Sequence, residues 1–168
     1  MQALLLDRDG TIIEDADYPR DPDAVRFVPG APEALRALAE TYRLYVVSNQ
    51  SGVGRGIIPL PAFHAVHDRF AAMLADEKIP VAGFFYCLHA PETECVCRKP
   101  RTGLVPRELH GVVHAVVGDK ESDLKLADAL GTRGVLVRTG YGKATEARLN
   151  RDAGYPVFSS LAEFARSR

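Results

Sequence analysis

The sequence contains only three cysteines, no block of like charges and no long apolar run. With a formal net charge of -1 at pH 7, the chain has no basic surface to attract nucleic acid or an anionic membrane. The N-terminal apolar run stops at Asp7, too early for a signal peptide or a membrane span. The aromatic residues form no stripe on which bases could stack. We therefore expect a cytoplasmic monomer that binds neither nucleic acid nor membrane.

What is present is the composition of an ordinary folded protein. Of the 168 residues, 46% are hydrophobic and 26% are charged, which is typical of globular chains. This length can bury one sizeable core. We predict a single domain over residues 1–168.

Apolar runs and helical periodicity alternate along the chain. Turn-bounded apolar runs predict strands of a mainly parallel sheet at Ala3–Leu6, Leu44–Val47, Gly83–Cys87, Ala115–Val117 and Val135–Val137. Helices are predicted at Pro32–Glu40, Leu60–Lys78, Glu121–Leu130, Thr145–Arg151 and Leu161–Arg166, and residues 14–29 are expected to form a loop. The alternation predicts a doubly wound α/β fold, whose ligands bind beyond the carboxyl ends of the strands.

Two carboxylates, Asp7 and Asp9, follow the first predicted strand. Alternate side chains share a side as a chain leaves a strand, so both can point into one cavity. An aspartate can attack phosphorus directly, dividing one difficult displacement into two easier ones. We assign Asp7 as nucleophile and Asp9 as general acid/base. A lone Asp-x-Asp is more often a structural turn, so the interpretation depends on the groups at the other strand ends.

Several other polar residues along the chain suit a phosphate and a hard cation. Mg²⁺ prefers oxygen ligands, and Asp7 with Asp119 could supply them, supported by Asp123. Lys99 could place a fixed positive charge on the phosphate, with Lys120 as a second candidate. The Ser48 hydroxyl and the Asn49 amide could donate hydrogen bonds to its oxygens.

The cysteines cluster in one segment with a histidine between them. Cys87, His89, Cys95 and Cys97 form the pattern C-x-H-x5-C-x-C, which can complete a tetrahedron around Zn²⁺. With all four ligands supplied by protein, the zinc would hold a loop in place rather than react. The alternative is three free thiols and an unrelated histidine.

The segments DRDGT, SNQSG, RKP and GDKESD, in this order, resemble the four motifs of the haloacid dehalogenase (HAD) superfamily of phosphatases. Within it the chain resembles the D-glycero-D-manno-heptose 1,7-bisphosphate phosphatases and the related histidinol-phosphate phosphatases, which share a zinc loop and lack a large cap domain. The resemblance implies Asp7 as nucleophile, Asp9 as acid/base and metal ligand through its backbone carbonyl, and Asp119 as magnesium ligand. It also implies substrate contacts from Asp15, Ala16, Asp17, Tyr18, Ser48, Asn49, Gln50, Ser51, Arg98, Lys99 and Lys120.

Two segments favour the heptose branch. Residues 49–56 resemble its NQSG..RG loop, and residues 136–140 resemble its LVRTG segment. Only about twenty residues separate Lys99 from Asp119, fewer than in many relatives, which leaves a helix in that interval uncertain. The preferred substrate is a small phosphorylated sugar, specifically the 7-phosphate of a heptose bisphosphate.

Three alternatives stay open at this point. Histidinol-phosphate phosphatase is the second candidate within the same enzyme class. An Asp-rich α/β domain could instead be a receiver that holds a phosphoryl group without turning over phosphate esters. A zinc-stapled binding module would retain zinc and hydrolyse no ester.

Overall fold

A computed structural model describes residues 1–150 and 153–168, and these residues form a six-stranded sheet. The strands are β1 (Ala3–Leu6), β2 (Arg43–Asn49), β3 (Val81–Cys87), β4 (Val113–Gly118), β5 (Arg133–Val137) and β6 (Val157–Phe158). They are ordered β3-β2-β1-β4-β5-β6, and each neighbouring pair is parallel. The predicted mainly parallel α/β sheet is confirmed. β6 was missed because a two-residue strand has no periodicity to detect.

The helices are α1 (Ala31–Ala39), α2 (Ser51–Gly54), α3 (Leu60–Asp76), α4 (Glu121–Ala129), α5 (Gly142–Arg148) and α6 (Leu161–Arg166). Most lie within two residues of their predicted bounds. The helix predicted at 145–151 begins three residues earlier, at Gly142, and its predicted end at Arg151 lies outside the described residues. The single turn α2 was missed. The loop predicted at 14–29 is present, with one 3₁₀ turn at Pro22–Ala24.

The core lies in two layers because alternate strand residues face opposite sides of the sheet. Leu4 and Leu6 of β1 pack in the layer that also contains buried residues of α1, α3 and α6. Ala3 and Leu5 pack in the other layer, with residues of α4. This arrangement is the predicted doubly wound architecture.

The connection from β3 to β4 contains two short 3₁₀ helices, Thr102–Leu104 and Arg107–Leu109, instead of an α-helix. Leu109 and Val105 still cover their side of the sheet, since both are buried in the second layer. The short segment after Lys99 therefore covers this side of the sheet with 3₁₀ turns rather than with an α-helix. The connection also carries the cysteine cluster and leads the chain from β3 back to the site.

The connections at the carboxyl ends of the strands consist of loops and helices. The longest stretch after β1, residues 7–30, contains one 3₁₀ turn, and the described residues form no large cap domain over the sheet. In the part of the chain that the structure describes, no helix has both the length and the apolar character required to cross a membrane.

Candidate active site

The ends of β1, β2 and β4 and the segment after the cysteine cluster meet around one cavity of about 250 Å³. The predicted residues that line it are Asp7, Asp9, Asp15, Asp17, Tyr18, Ser48, Asn49, Gln50, Ser51, Arg98, Lys99 and Lys120. Asp119 and Asp123 are fully buried beside Asp7. Ala16 is exposed and does not line the cavity. Sequence reasoning therefore found most of the cavity, but it missed Ser122 and Tyr141, which also line it.

Asp7 and Lys99 form a buried ion pair at the floor of the cavity. The Lys99 ammonium donates to Asp7 Oδ1 at 2.7 Å and to the Val47 carbonyl at 2.7 Å, and it lies 2.6 Å from Asp123 Oδ1. Burial alone would raise the pKa of Asp7, but the Lys99 charge holds it below its ordinary value. This environment favours the ionised form of Asp7, which the predicted nucleophilic role requires. Because an ammonium has three N–H groups, a phosphate oxygen would have to replace one of these partners to bind Lys99 directly.

Two further carboxylates, those of Asp119 and Asp123, lie beside the carboxylate of Asp7. One oxygen each from Asp7, Asp119 and Asp123 lie within 4.8 Å of one another. Asp119 Oδ1 is buried and has no hydrogen-bond partner among the described residues, an arrangement that is unfavourable without a cation. Burial and the adjacent Asp7 raise the pKa of Asp119 to about 8. Oxygen ligands around an unsatisfied buried carboxylate fit Mg²⁺.

The backbone around Asp119 fixes the direction of its carboxylate. Its Oδ2 accepts a hydrogen bond of 2.7 Å from the Tyr141 backbone N–H. Gly10 and Gly140 both have positive φ, and a Cβ on either would collide with the Asp119 carboxylate. The Thr145 hydroxyl donates to the Asp119 carbonyl at 2.7 Å. These partners leave Oδ1 as the oxygen available to a cation.

Asp9 occupies a different part of the site from the acidic cluster. Arg8 Nε donates to its Oδ2 at 3.0 Å and Arg8 Nη2 to its Oδ1 at 3.1 Å. Gln50 Nε2 donates to the same Oδ2 at 2.7 Å and to Ser48 Oγ at 2.9 Å. The Asp9 side chain is not part of the cluster formed by Asp7, Asp119 and Asp123. This is consistent with the predicted binding of magnesium through the Asp9 backbone carbonyl.

Gln50 and Asn49 line the cavity, and both make hydrogen bonds within the protein. Gln50 was expected to contact substrate, but both its amide N–H groups are used by Asp9 and Ser48, and its oxygen accepts from Arg8 at 2.9 Å. The Asn49 amide pairs with the Lys99 backbone, accepting from its N–H at 2.9 Å and donating to its carbonyl at 3.1 Å. Asn49 therefore holds the segment that carries Lys99, with one amide N–H left for a phosphate oxygen.

A loop at residues 15–18 forms one wall of the cavity. Asp17 and Tyr18 both have left-handed backbone conformations. Lys120 Nζ lies 3.0 Å from Asp15 Oδ2, and the Tyr141 hydroxyl donates to Asp17 Oδ1 at 2.8 Å. Lys120 also lies over the Tyr141 ring, 4.8 Å from its centroid. Lys120 and Tyr141 therefore tie this loop to the ends of β4 and β5.

The cysteine cluster is assembled as predicted. Cys87 Sγ lies 3.3 Å from Cys97 Sγ and 3.8 Å from Cys95 Sγ, and His89 Nδ1 lies 3.2 Å from Cys97 Sγ. Ligands at ordinary zinc–sulfur distances in a tetrahedron are separated by roughly 3.8 Å. One candidate ligand atom from each of the four residues lies within 4.8 Å of the other three, so the group is compatible with zinc. The α2 turn packs closely on this loop, because a Cβ at Gly54 would collide with the backbone of residues 88–90.

Comparison with known proteins agrees with this geometry. A family model described as HAD-hydrolase-like matches residues 96–164. The D-glycero-beta-D-manno-heptose-1,7-bisphosphate 7-phosphatase of Pseudomonas putida is 36% identical, covering 99% of this chain and 98% of the relative. The enzyme of the same name from Salmonella typhi is 39% identical, covering 96% and 92%.

The chain belongs to the heptose bisphosphate phosphatase family of the HAD superfamily. The predicted resemblance is confirmed.

Solved structures of the heptose bisphosphate phosphatase family share the fold over nearly the whole chain. The D,D-heptose 1,7-bisphosphate phosphatase of Bordetella bronchiseptica, complexed with magnesium and phosphate, superposes with a TM-score of 0.89 at 34% identity, covering 99% of this chain and 97% of that one. The corresponding protein from Burkholderia thailandensis gives a TM-score of 0.73 at 30% identity, with the same coverage. Family membership therefore extends over the cavity, the acidic cluster and the cysteine loop.

Proposed function

We propose that this chain is a magnesium-dependent phosphatase that removes the 7-phosphate of D-glycero-D-manno-heptose 1,7-bisphosphate through a phosphorylated Asp7. The observation that carries the proposal is the Asp7 carboxylate, held at 2.7 Å by Lys99 beside the buried Asp119 Oδ1, which has no hydrogen-bond partner among the described residues. Full-length relatives bearing the heptose bisphosphatase name support the substrate. The substrate would be a small phosphorylated sugar, in keeping with a cavity of about 250 Å³.

In the first step an Asp7 carboxylate oxygen attacks phosphorus, and the bond from phosphorus to the sugar oxygen breaks. Asp9 gives its proton to that departing oxygen, which leaves as the sugar alcohol. The Ser48 hydroxyl lies at the floor of the cavity, where its proton can be donated to a phosphate oxygen, because its Oγ accepts the Gln50 N–H. Arg98 and Lys120 line the cavity and neutralise the remaining phosphate charge.

In the second step water attacks the phosphorus of phosphorylated Asp7. Asp9, now a carboxylate, takes the proton of that water, and the bond between phosphorus and Asp7 breaks. Inorganic phosphate leaves and Asp7 is regenerated. Magnesium held by Asp7, Asp119 and the Asp9 carbonyl, with Asp123 in support, would offset the negative charge that otherwise repels a carboxylate from phosphate.

The cysteine loop has a structural part in this proposal. Zinc bound by Cys87, His89, Cys95 and Cys97 would fix the segment that continues directly into Arg98 and Lys99. Distances of 3.2 to 3.8 Å between neighbouring ligand atoms support that assignment. Burial raises the pKa of Cys87 to about 12, so this thiol is unsuited to act as a nucleophile unless a metal displaces its proton.

A two-substrate panel tests the activity and the substrate together. Phosphate release is measured for heptose 1,7-bisphosphate and for histidinol phosphate at the same Mg²⁺ concentration, with Asp7→Asn as the control. We expect turnover of the heptose ester, little turnover of histidinol phosphate and none by Asp7→Asn.

Preference for histidinol phosphate would replace the substrate assignment within the same enzyme class. If the magnesium-loaded protein released no phosphate from either ester, the receiver and binding-module alternatives would replace the enzyme itself. Single phosphorylation of Asp7 without turnover would indicate the receiver, and zinc retention without phosphorylation would indicate the binding module.

A further inference from the structure

Arg8, between the two predicted catalytic aspartates, is fully buried. Its guanidinium makes two hydrogen bonds to Asp9 and one to Gln50. The backbone of Arg8 is also fixed, because its carbonyl accepts the N–H groups of Ile12 and Ile13 at 2.9 and 3.0 Å. The guanidinium lies 5.6 Å from the centroid of the Tyr86 ring. The backbone and the side chain of Arg8 are therefore both fixed relative to Asp9.

A buried arginine is a costly way to stabilise a turn. Removing two charges from water is unfavourable, and buried ion pairs can often be replaced by apolar residues without loss of stability. Arg8 Nη1 is buried and has no hydrogen-bond partner among the described residues, which adds to that cost. The two hydrogen bonds to Asp9 are thus the contacts that only a guanidinium at this position can make.

The hydrogen bonds to Asp9 leave one acceptor position open. A carboxylate offers about four such positions, two on each oxygen. Asp9 Oδ2 receives both Arg8 Nε and Gln50 Nε2, whereas Oδ1 receives Arg8 Nη2 alone. The position that remains is therefore on Oδ1. Gln50 is itself fixed by its contacts with Arg8 and Ser48.

We propose that Arg8 and Gln50 are positioning residues that orient the Asp9 carboxyl group, so that Oδ1 exchanges the proton with the sugar oxygen and then with water. Neither residue touches the reacting atoms; each acts through Asp9. The inference rests on the proposed phosphatase function and deepens it. It also replaces the expected substrate contact of Gln50 with a different role.

The test compares two substrates whose leaving groups differ in whether they need a proton from the general acid. The alcohol that leaves heptose bisphosphate requires a proton, whereas nitrophenolate leaves from nitrophenyl phosphate without one. The ratio kcat/KM reports the steps through phosphorylation of Asp7, so the later water step does not enter. Gln50→Met removes both amide N–H groups at similar length, and Asp9→Asn defines the full loss of the acid.

We expect Gln50→Met to lower kcat/KM for the heptose ester by roughly tenfold and for nitrophenyl phosphate by less than about twofold. Arg8→Met should show the same selective loss. If Arg8→Met does not fold, Gln50→Met, which retains the Arg8 pair with Asp9, decides the question. Val66→Ala changes a buried core residue of α3 that does not line the cavity; it serves as a control for general destabilisation and should keep the parental ratio between the two esters.

A double variant separates positioning from direct substrate contact. If Gln50 acts through Asp9, Gln50→Met should cause no further selective loss in the Asp9→Asn background. An equal loss for both esters in the single variant, or an undiminished loss in the double variant, would overturn the inference. Failure of the parent protein to hydrolyse either ester would instead refute the proposed function, so the two failures are distinguishable.

Discussion

At the residue scale, the positions of the predicted catalytic groups followed from the sequence, but their hydrogen-bond partners did not. Positions at strand ends brought Asp7 and Asp119 together as expected, since parallel strands bring their carboxyl ends to one edge. Lys99 follows β3 only after the cysteine loop and was chosen for its charge. The partners of Gln50 depended on the burial of Arg8, and no periodic pattern reports the burial of a charged side chain. Tyr141 was missed because its contribution to Asp119 is a backbone N–H, which any non-proline residue could supply.

A substitution at Gly10 tests the packing around Asp119. Gly10 and Gly111 have nearly the same φ, 82° and 84°, but only at Gly10 would a Cβ strike the Asp119 carboxylate. Gly111→Ala should lower the free energy of unfolding by about 1 kcal/mol, because alanine is strained in a left-handed backbone conformation. Gly10→Ala should lower the free energy of unfolding by more than this. It should also weaken Mg²⁺ binding, since the Asp119 carboxylate must move. Urea unfolding and a calorimetric Mg²⁺ titration measure the two effects, and equal behaviour of the two variants would contradict the packing.

At the element scale, the strands and the longer helices were predictable because their apolar patterns extend over several residues. The 3₁₀ turns between β3 and β4 and the two-residue β6 were not, because each is shorter than the period that would reveal it. The short chain between Lys99 and Asp119 left a helix in that interval uncertain, and the structure has two 3₁₀ turns there. The cysteine loop was predictable from ligand spacing alone, which is unusual for a loop.

Removal of the proposed zinc tests the role of the cysteine loop. Cys97→Ser removes a ligand that lies 3.2 Å from His89 Nδ1 and 3.3 Å from Cys87 Sγ. We expect this variant to lose stoichiometric zinc, measured by elemental analysis, and to have a lower Tm. Because Arg98 follows this ligand directly, KM for the heptose ester should also rise.

Cys97→Ser is compared with Thr93→Ser, a conservative change between the ligands His89 and Cys95 that leaves all four ligands intact. Full zinc occupancy with an unchanged Tm in Cys97→Ser would contradict the ligand assignment.

At the scale of the whole molecule, the fold leaves the site open and concentrates negative charge beneath it. The described residues form no large cap domain, and the loops that line the cavity are residues 15–19, residues 48–52 and the segment with Arg98 and Lys99. The fold class and the mainly parallel sheet were predictable from the alternation of strands and helices, and the strand order and the shape of these loops were not. The single-domain extent and the monomeric, cytoplasmic state stay predictions.

The buried acidic cluster predicts how stability changes with pH in the absence of Mg²⁺. The pKa of Asp119 is raised from 3.8 to about 8 in the folded protein. Between these values the folded protein retains a proton that the unfolded chain has released, so the contribution of Asp119 to stability is lost as pH rises through about 8. The free energy of unfolding should therefore fall from about pH 4 to about pH 8 relative to Asp119→Asn.

Urea unfolding of both proteins across this range, in the presence of a chelator, measures the difference. Mg²⁺ should reverse the trend in the parent, because a cation that binds the folded state stabilises the ionised cluster. A difference between the two proteins that does not change with pH would contradict the raised pKa.

The most direct test of the central claim is acid quenching of the magnesium-loaded protein within milliseconds of mixing with phosphate-labelled heptose bisphosphate, followed by peptide mapping. The account predicts that labelled phosphate is attached to Asp7, that it appears no more slowly than turnover, and that Asp7→Asn carries none. Turnover with no label on Asp7, or with the label on another residue, would contradict it.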